Sequence, residues 1–269
     1  MDESKFEDIV RSRDYRYDLS DDDMHEKVVD LLNNHPPVNG SEIVCYLVDD
    51  NDVANVARSV ERQVFEKAFD NDASEMTKIY GPYEGASLFF LSVDTTTQRP
   101  CGALRVIGNS ANGLMTLNDL PTEATDRSIE EILMSHQVDS LNDCWDVGTV
   151  AVLAQYRKYD NFAVSTQLYR ALYVSAMKKN IKHFFSIIDD KPFKMMTDYL
   201  GIPFKSLQGS VPFEFEGSKL SHAVHGYVPD FYKSMNRRRY TTRGWLARHA
   251  LRPLVKGSKD NSLMFDTNY

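Results

Sequence analysis

The 269-residue sequence predicts a mixed α/β (α+β) fold, a central sheet with helices on both faces. Three observations carry that reading. The run Trp145–Leu153 is apolar on both faces of a strand, as the middle of a sheet requires. Strand, helix and strand succeed one another through 145–153, 162–179 and 183–188, and such alternation implies parallel strands joined by crossover helices. Two β-rich runs, Ser87–Val93 and Cys101–Ile107, flank the turn Asp94–Pro100 and make a hairpin, which adds an antiparallel half.

In chain order, residues 1–24 are charged and weakly patterned, an arm or a frayed helix. Met24–Leu32 reads as a short helix with Asp21–Asp23 as N-cap candidates, stopped by Asn33-Asn34-His35-Pro36-Pro37. Ile43–Val48 is a strand. Asp52–Phe69 is a helix: Val53, Val56, Ala57, Val60, Val64 and Ala68 recur at helical spacing, and Asp50–Asp52 can cap its start. Arg62 and Phe65 lie off that stripe and can face something other than the sheet. A loop, Tyr80–Gly85, leads into the hairpin, whose second strand carries Arg105 among apolar neighbours. Asn109–Asp119 and Pro121–Asp126 are turn-rich, and Ile129–Ser135 is a short helix.

After the central strand, the helix Phe162–Lys179 lines up Val164, Leu168, Ala171, Leu172 and Ser175, with Lys178 and Lys179 at its end and Asn180 as C-cap. His183–Ile188 is a second doubly buried strand. Pro192 suits the first turn of the short helix Phe193–Leu200, which Gly201 stops. Phe204–Leu207, Val211–Phe215 and Ser221–Tyr227 are late strands with turns at Gly209 and Gly217. Tyr232–Lys256 is basic and aromatic. It reads as a packed or solvated helix, with membrane or partner contact the alternative. The expected organisation is an acidic arm or helix (1–40), a folded α/β domain (41–230) and a basic tail or helix (231–269).

Charge and cysteines narrow the setting. A net charge of −8 argues against general nucleic-acid binding. The charge is uneven: residues 1–30 hold eleven acids against five Lys/Arg, and 233–256 hold eight Lys/Arg and no acid. Cys45, Cys101 and Cys144 lie in apolar runs without metal spacing and read as small core residues in a reducing compartment. With no apolar run of membrane-spanning length and no basic-then-apolar leader, the cytoplasm is the expected location. His222 and His225, three apart in a strand, fall on opposite faces, so no shared metal is expected.

The central strand holds one charged residue, Asp146, and a carboxylate there costs several kcal/mol unless it is paired or used. Either it orients or deprotonates a substrate group, or it caps a turn or pairs with Arg105. The following loop, Gln155–Asn161, enters a helix N-terminus, a place that suits anions.

Several short pieces, in order, resemble the GNAT N-acyltransferase superfamily, and within it the acyl-homoserine-lactone synthases and long-chain N-acyl amino acid synthases. Arg62-Gln-Val-Phe65 is similar to Arg-x-x-Val-Phe on the family's first helix, and Gly102-Ala-Leu-Arg105 to its Gly-x-x-Arg strand. Trp145-Asp146-Val-Gly-Thr149-Val150-Ala151-Val152 resembles Trp-Glu-x-x-Arg-x-x-Val on the fourth strand, and Leu200-Gly-Ile-Pro-Phe204 the segment before the sixth. The departures are an Asp for the Glu, Thr149 for the Arg, and no clean counterpart of the family's paired acids, for which Asp70, Asp72 and Glu84 are nearest. They weigh against homoserine-lactone production more than against acyl transfer.

The resemblance implies a GNAT-like sheet with splayed fourth and fifth strands and transfer of an acyl group from a thioester to an amine. The backbone of Val150, Ala151 and Val152 would pair with the donor's pantetheine amides, and the N–H near Val152 would meet the oxyanion. Asp146 would handle the acceptor amine; Arg105 and Arg62 would bind a carboxylate or phosphate, with a solvated helix face the alternative for Arg62. Trp145 and Phe65 would line the substrate, beside Glu84 and Thr149. Coenzyme-A users carry a glycine-rich loop after the fourth strand, whereas Gln155–Ala163 has no glycine and offers only Arg157 and Lys158 to a phosphate. The expected donor is therefore acyl carrier protein, with acyl-CoA the alternative, and no permanently bound cofactor. Arg157, Lys158, Lys178, Lys179, Lys182 and the tail Arg237–Arg239 are candidates for a docking face toward that acidic protein. An acetyl-CoA-dependent acetyltransferase and a non-catalytic acyl- or carrier-protein-binding member are the other readings.

Overall fold

In chain order the elements are α1 (Asp21–Asn34), β1 (Ile43–Val48), α2 (Asn51–Phe69), α3 (Ala73–Tyr80), β2 (Ser87–Asp94), β3 (Arg99–Ile107), α4 (Met115–Asn118), α5 (Ile129–Ser135) and β4 (Cys144–Val152). They continue with α6 (Ala163–Lys178), β5 (His183–Asp189), α7 (Asp190–Lys194), β6 (Lys205–Ser206), β7 (Phe213–Phe215), β8 (Ser218–Tyr227), α8 (Phe231–Arg238) and β9 (Phe265–Asp266). The computed structural model describes residues 14–37, 41–49, 51–157, 162–245, 247–248 and 265–266. Asp50, Lys158 and most of the tail beyond 248 lie outside the described residues. The chain divides into two compact units, one of Met1–Val106, Thr149–Leu172 and Asn261–Tyr269, the other of Ile107–Gly148 and Tyr173–Asp260.

In the first unit the strand order is β4–β3–β2–β1–β9. β1 and β2 pair antiparallel from Ile43↔Asp94 to Val48↔Phe89, and all six β1 residues are buried. Strand alternation sends Gly102 and Arg105 of β3 to opposite faces. On the Gly102 face lies α6: an added Cβ would stand 2.8 Å from Val164 Cγ1 and 3.0 Å from Ala151 O, so this contact needs glycine. On the Arg105 face lies α2, through Glu61. Helices therefore cover both faces, as expected.

α2 is buried nearly all round between Ala54 and Glu61, because the segment 14–20 lies across the side its apolar stripe leaves open. Arg16 N donates to Asn55 Oδ1 (2.9 Å), Leu19 N to Ser59 Oγ (3.1 Å), and Asn55 Nδ2 to Asp14 O (2.8 Å). The cap of α1 is Ser20, in a reciprocal box with Asp23, rather than an aspartate; Asp21–Asp23 form the first turn. α3 is a helix where only a connection was expected. Asp72 caps it by accepting from Ser74 N and Glu75 N at 2.8 and 2.9 Å, and only Met76 and Tyr80 are buried, so its apolar signal is thin.

In the second unit the order is β6–β8–β5–β4, with β7 on β8. β4 and β5 run parallel from Cys144↔His183 to Asp146↔Phe185, where the register ends: the splay expected of the fourth and fifth strands. β5 and β8 pair antiparallel over seven residues. Leu114, Leu117, Ile132, Cys144, Phe185, Leu207 and Phe213 form the core. α7 begins three residues before the predicted Phe193 and widens into a π-type turn, Met195–Leu200, ended by Gly201 at φ 72°. Cys45, Cys101 and Cys144 are buried with free thiols. Among the described residues no helix is long and apolar enough to cross a membrane.

Candidate active site

Arg105 is fully buried in the first unit, and each arm of its guanidinium is taken by protein. Nε and Nη2 donate to Glu61 (3.2 and 2.7 Å), Nη1 donates to Glu84 Oε1 (2.9 Å) and Ser87 Oγ (3.2 Å), and Nη2 also donates to Tyr17 Oη (2.7 Å). The Tyr17 hydroxyl in turn donates to Glu84. Arg58 donates to Glu84 Oε2 from Nε (3.0 Å) and Nη2 (2.7 Å). Two arginines thus face two carboxylates, and their charges balance. Burial opposes ionisation of Glu84, but Arg105 and Arg58 prevail and hold its carboxyl at about 2. The same burial drives the Tyr17 phenol well above its ordinary range. The sequence reading of Arg105 as a substrate-touching group is corrected here: no donor is left, and no surface. Glu84 is likewise consumed in the network rather than turned to substrate.

Thr149 of β4 joins this network by donating its hydroxyl to Glu61. Beyond it, Val150 is half-buried and Ala151 and Val152 are buried, while Leu153 N donates to Cys101 O (3.1 Å). The chain then makes a tight turn, Ala154–Tyr156, and residues 158–161 of the connection to α6 lie outside the described residues. Tyr156 Oη donates to Asp94 Oδ2 (2.9 Å), and Asp94 Oδ1 accepts from Thr96 N and Thr97 N, so the turn is bolted to the β2–β3 connection. Arg157 is exposed and bends back, Nε donating to Val152 O (3.1 Å). Arg62, part-exposed, donates from Nε to Tyr17 O (3.1 Å) and from Nη1 to Glu66 Oε2 (2.5 Å); Phe65 packs on Phe69 at 5.6 Å.

Asp146 lies in the second unit, 1% exposed, and does not pair with Arg105. Its oxygens accept from Thr116 N (2.6 Å) and Thr116 Oγ1 (2.8 Å), at the start of the single-turn helix α4. Burial pushes its carboxyl up to about 7, against the pull of Thr116, and Asp119 adds to the rise. Asp119 is itself pushed to about 6 by burial and by Glu216. A carboxyl brought near neutrality can hold or release a proton at working pH. Trp145 is buried and stacks on Phe184 (6.3 Å between centroids, planes 1° apart).

His222 and His225 fall on opposite faces, as the strand spacing predicts: His222 meets Asp190 (3.2 Å) and His225 meets His183 (2.9 Å). Among the described residues no group of three or more His, Cys, Asp or Glu is placed to hold a metal. Sequence reasoning missed Glu61, Arg58, Tyr17 and Thr116. Glu61 adjoins Arg62, and Arg58 lies one turn before it, so both fall on helix positions that read as solvent-facing until segment 14–20 covers them. Tyr17 sits in a charged arm with no pattern, and Thr116 in a turn-rich stretch.

No family model matches the sequence, and no curated relative matches it. Solved structures do resemble it. FeeM, described as an N-acyl amino acid synthase from uncultured soil microbes, is 16% identical with a TM-score of 0.53, over 77% of this chain and 97% of that one. LasI, described as an AHL synthase, is 15% identical with a TM-score of 0.50, over 70% and 91%. The protein therefore has the fold of the GNAT-like acyltransferases.

Proposed function

We propose that this protein is an N-acyltransferase that moves a long acyl chain from acyl carrier protein to the amine of an amino-acid-like acceptor in the cytoplasm. The observation that carries the reading is the end of the β4–β5 register at Asp146, on a fold shared with FeeM and LasI. Past that point the backbone of Val150–Val152 pairs with the donor's pantetheine amides as an added strand would. The acceptor nitrogen attacks the thioester carbon, the C–S bond breaks, and the nitrogen's proton passes to Asp146, which returns it to the departing thiolate. The buried carboxyl at about 7 suits that task. The donor reading rests on the glycine-free sequence Gln155–Ala163; in its described part the N–H groups of Tyr156 and Arg157 already donate to Leu153 O (2.9 Å) and Ala154 O (3.4 Å) rather than facing a pyrophosphate. Lys178 and Lys179, exposed at the end of α6, meet the acidic carrier protein; Lys182 is held by Asp143 at 2.6 Å.

A second reading, a non-catalytic acyl- or carrier-protein-binding member, is favoured by Thr116 occupying both oxygens of Asp146. The purified protein, given acyl carrier protein and coenzyme A thioesters of one chain length with a set of amino acids, separates them by mass spectrometry of the amide product. The first reading expects amide from the carrier-protein thioester and about 10²–10⁴-fold slower transfer by Asp146→Asn. Carrier-protein binding without any product selects the second, and strict dependence on the adenine nucleotide overturns the donor assignment.

A further inference from the structure

The chain carries a net charge of −8, yet residues 231–248 hold six Lys/Arg and no acid. This stretch is fixed in the second unit by one buried ring. Phe231 meets Phe184 and Phe204 edge-on, both at 5.6 Å, and lies parallel to Tyr173 at 6.4 Å. Close contact continues at Gly201, where an added Cβ would fall 2.5 Å from Arg238 Cβ, and Arg238 donates to Asp198 O. With the inner side so held, the outer side is presented rather than loosely tethered.

What it presents is a mixture of rings and cations. Tyr232, Tyr240 and Trp245 are 39%, 74% and 40% exposed. Lys233, Arg237 and Arg243 are exposed and make no ion pair or hydrogen bond among the described residues. Exposed rings of this size gain little from water, and side chains with an apolar body and a polar tip settle where hydrocarbon meets water. Cations on long stems reach phosphate from the same depth. We propose that the face of residues 231–248 docks on an anionic phospholipid surface, with the three rings entering the headgroup layer and the three cations meeting lipid phosphates. An acidic protein would match the charges as well, so binding to one in place of vesicles is an outcome that the test below distinguishes. The inference stands on these residues and does not depend on the reaction proposed above.

The test uses the full-length protein with vesicles of phosphatidylcholine alone or mixed with phosphatidylglycerol, read by co-sedimentation. Binding is expected only to the anionic vesicles and is expected to fall steeply with added salt. Trp145 is 4% exposed, so lipids brominated in the acyl chain should quench Trp245 selectively. The K233Q/R237Q/R243Q variant, checked for unchanged helical circular dichroism, should partition about a hundredfold more weakly, from roughly 1 kcal/mol per cation near such a surface. Tyr240→Ser should weaken binding severalfold at unchanged net charge, although Arg239, which lies over this ring at 4.7 Å, loses its partner. Equal binding to neutral vesicles, absence of quenching, or a triple variant within threefold of the parent overturns the proposal. So does a triple variant that loses an acidic carrier protein while still binding vesicles.

Discussion

Replacing Glu84 by Gln removes one charge from a buried quartet while keeping its shape. The magnitude follows from the carboxyl itself. It falls from an ordinary 4.5 to about 2 on folding, and at about 1.4 kcal/mol per tenfold change in proton affinity this is roughly 3 kcal/mol of stability. Because the folded value is the lower one, that contribution is complete above about pH 4.5 and drains away as pH falls toward about 2. Leaving Arg58 and Arg105 with a single carboxylate adds an uncompensated buried cation, and breaking buried pairs in this way costs about 3–5 kcal/mol. Urea unfolding followed by circular dichroism should therefore show E84Q weaker than the parent by about 3–5 kcal/mol at pH 7. The deficit should narrow steadily between about pH 4.5 and about pH 2. A deficit under about 1 kcal/mol at pH 7, or one of constant size across that range, would refute the claim that the network holds Glu84 ionised.

Other changes probe separate parts of the structure. Gly102→Ala pushes a Cβ to 2.8 Å from Val164 and 3.0 Å from a backbone oxygen, so urea denaturation should register a loss of about 1–3 kcal/mol; a neutral result would mean α6 does not press on β3 as described. Tyr156→Phe deletes the hydroxyl that donates to Asp94 at 2.9 Å, and about 1–2 kcal/mol should go with it; an unchanged midpoint would detach the turn from the β2–β3 connection. If Asp146 takes the amine's proton it must be ionised first. The transfer rate under saturating substrate should then rise with pH through about 7 and level off, and the Asn variant should be slow and without that rise. An unaltered rise in the variant would move the titration elsewhere.

The sheet was legible because doubly buried strands leave long apolar runs: Ile43–Val48, Ser87–Asp94 and His183–Asp189 all stand within a residue of where the pattern put them. The short helix Ile129–Ser135 also stands where it was expected, but two other short elements were not legible. The single turn α4 and the helix α3 bury two or three side chains each, too few for a period to show, and α3 is announced only by its cap. The site divides in the same way. Asp146 stood out as the lone charge in an apolar strand, and burial is what its environment delivers. Its partner Thr116 could not be seen, since nothing local ties a threonine in a turn to a strand thirty residues on. Arg58 and Glu61 carried the opposite signal, polar residues on a helix whose apolar stripe lay elsewhere. They are buried because residues 14–20 cover them, a tertiary event that helical periodicity does not encode.

Thr149 gains its meaning from the same quartet. The acyl-homoserine-lactone synthase pattern has Arg at this place, whereas here Thr149 stands beside a network into which Arg58 on α2 already donates. With Arg58 and Arg105 already opposite Glu61 and Glu84, an arginine at 149 would bring a third cation to two buried carboxylates. The threonine hydroxyl bonds Glu61 without adding charge. The two positions should therefore be coupled. Thr149→Arg should cost several kcal/mol, and Thr149→Met, which adds comparable bulk without charge, measures the part due to overpacking, about 1–3 kcal/mol. In the double variant T149R/R58M the cation count returns to two. Its loss in urea unfolding should be smaller than the sum of the single losses by about 1–3 kcal/mol. Strict additivity would mean that the quartet does not count its charges, and the departure at Thr149 would then have no account in terms of Arg58.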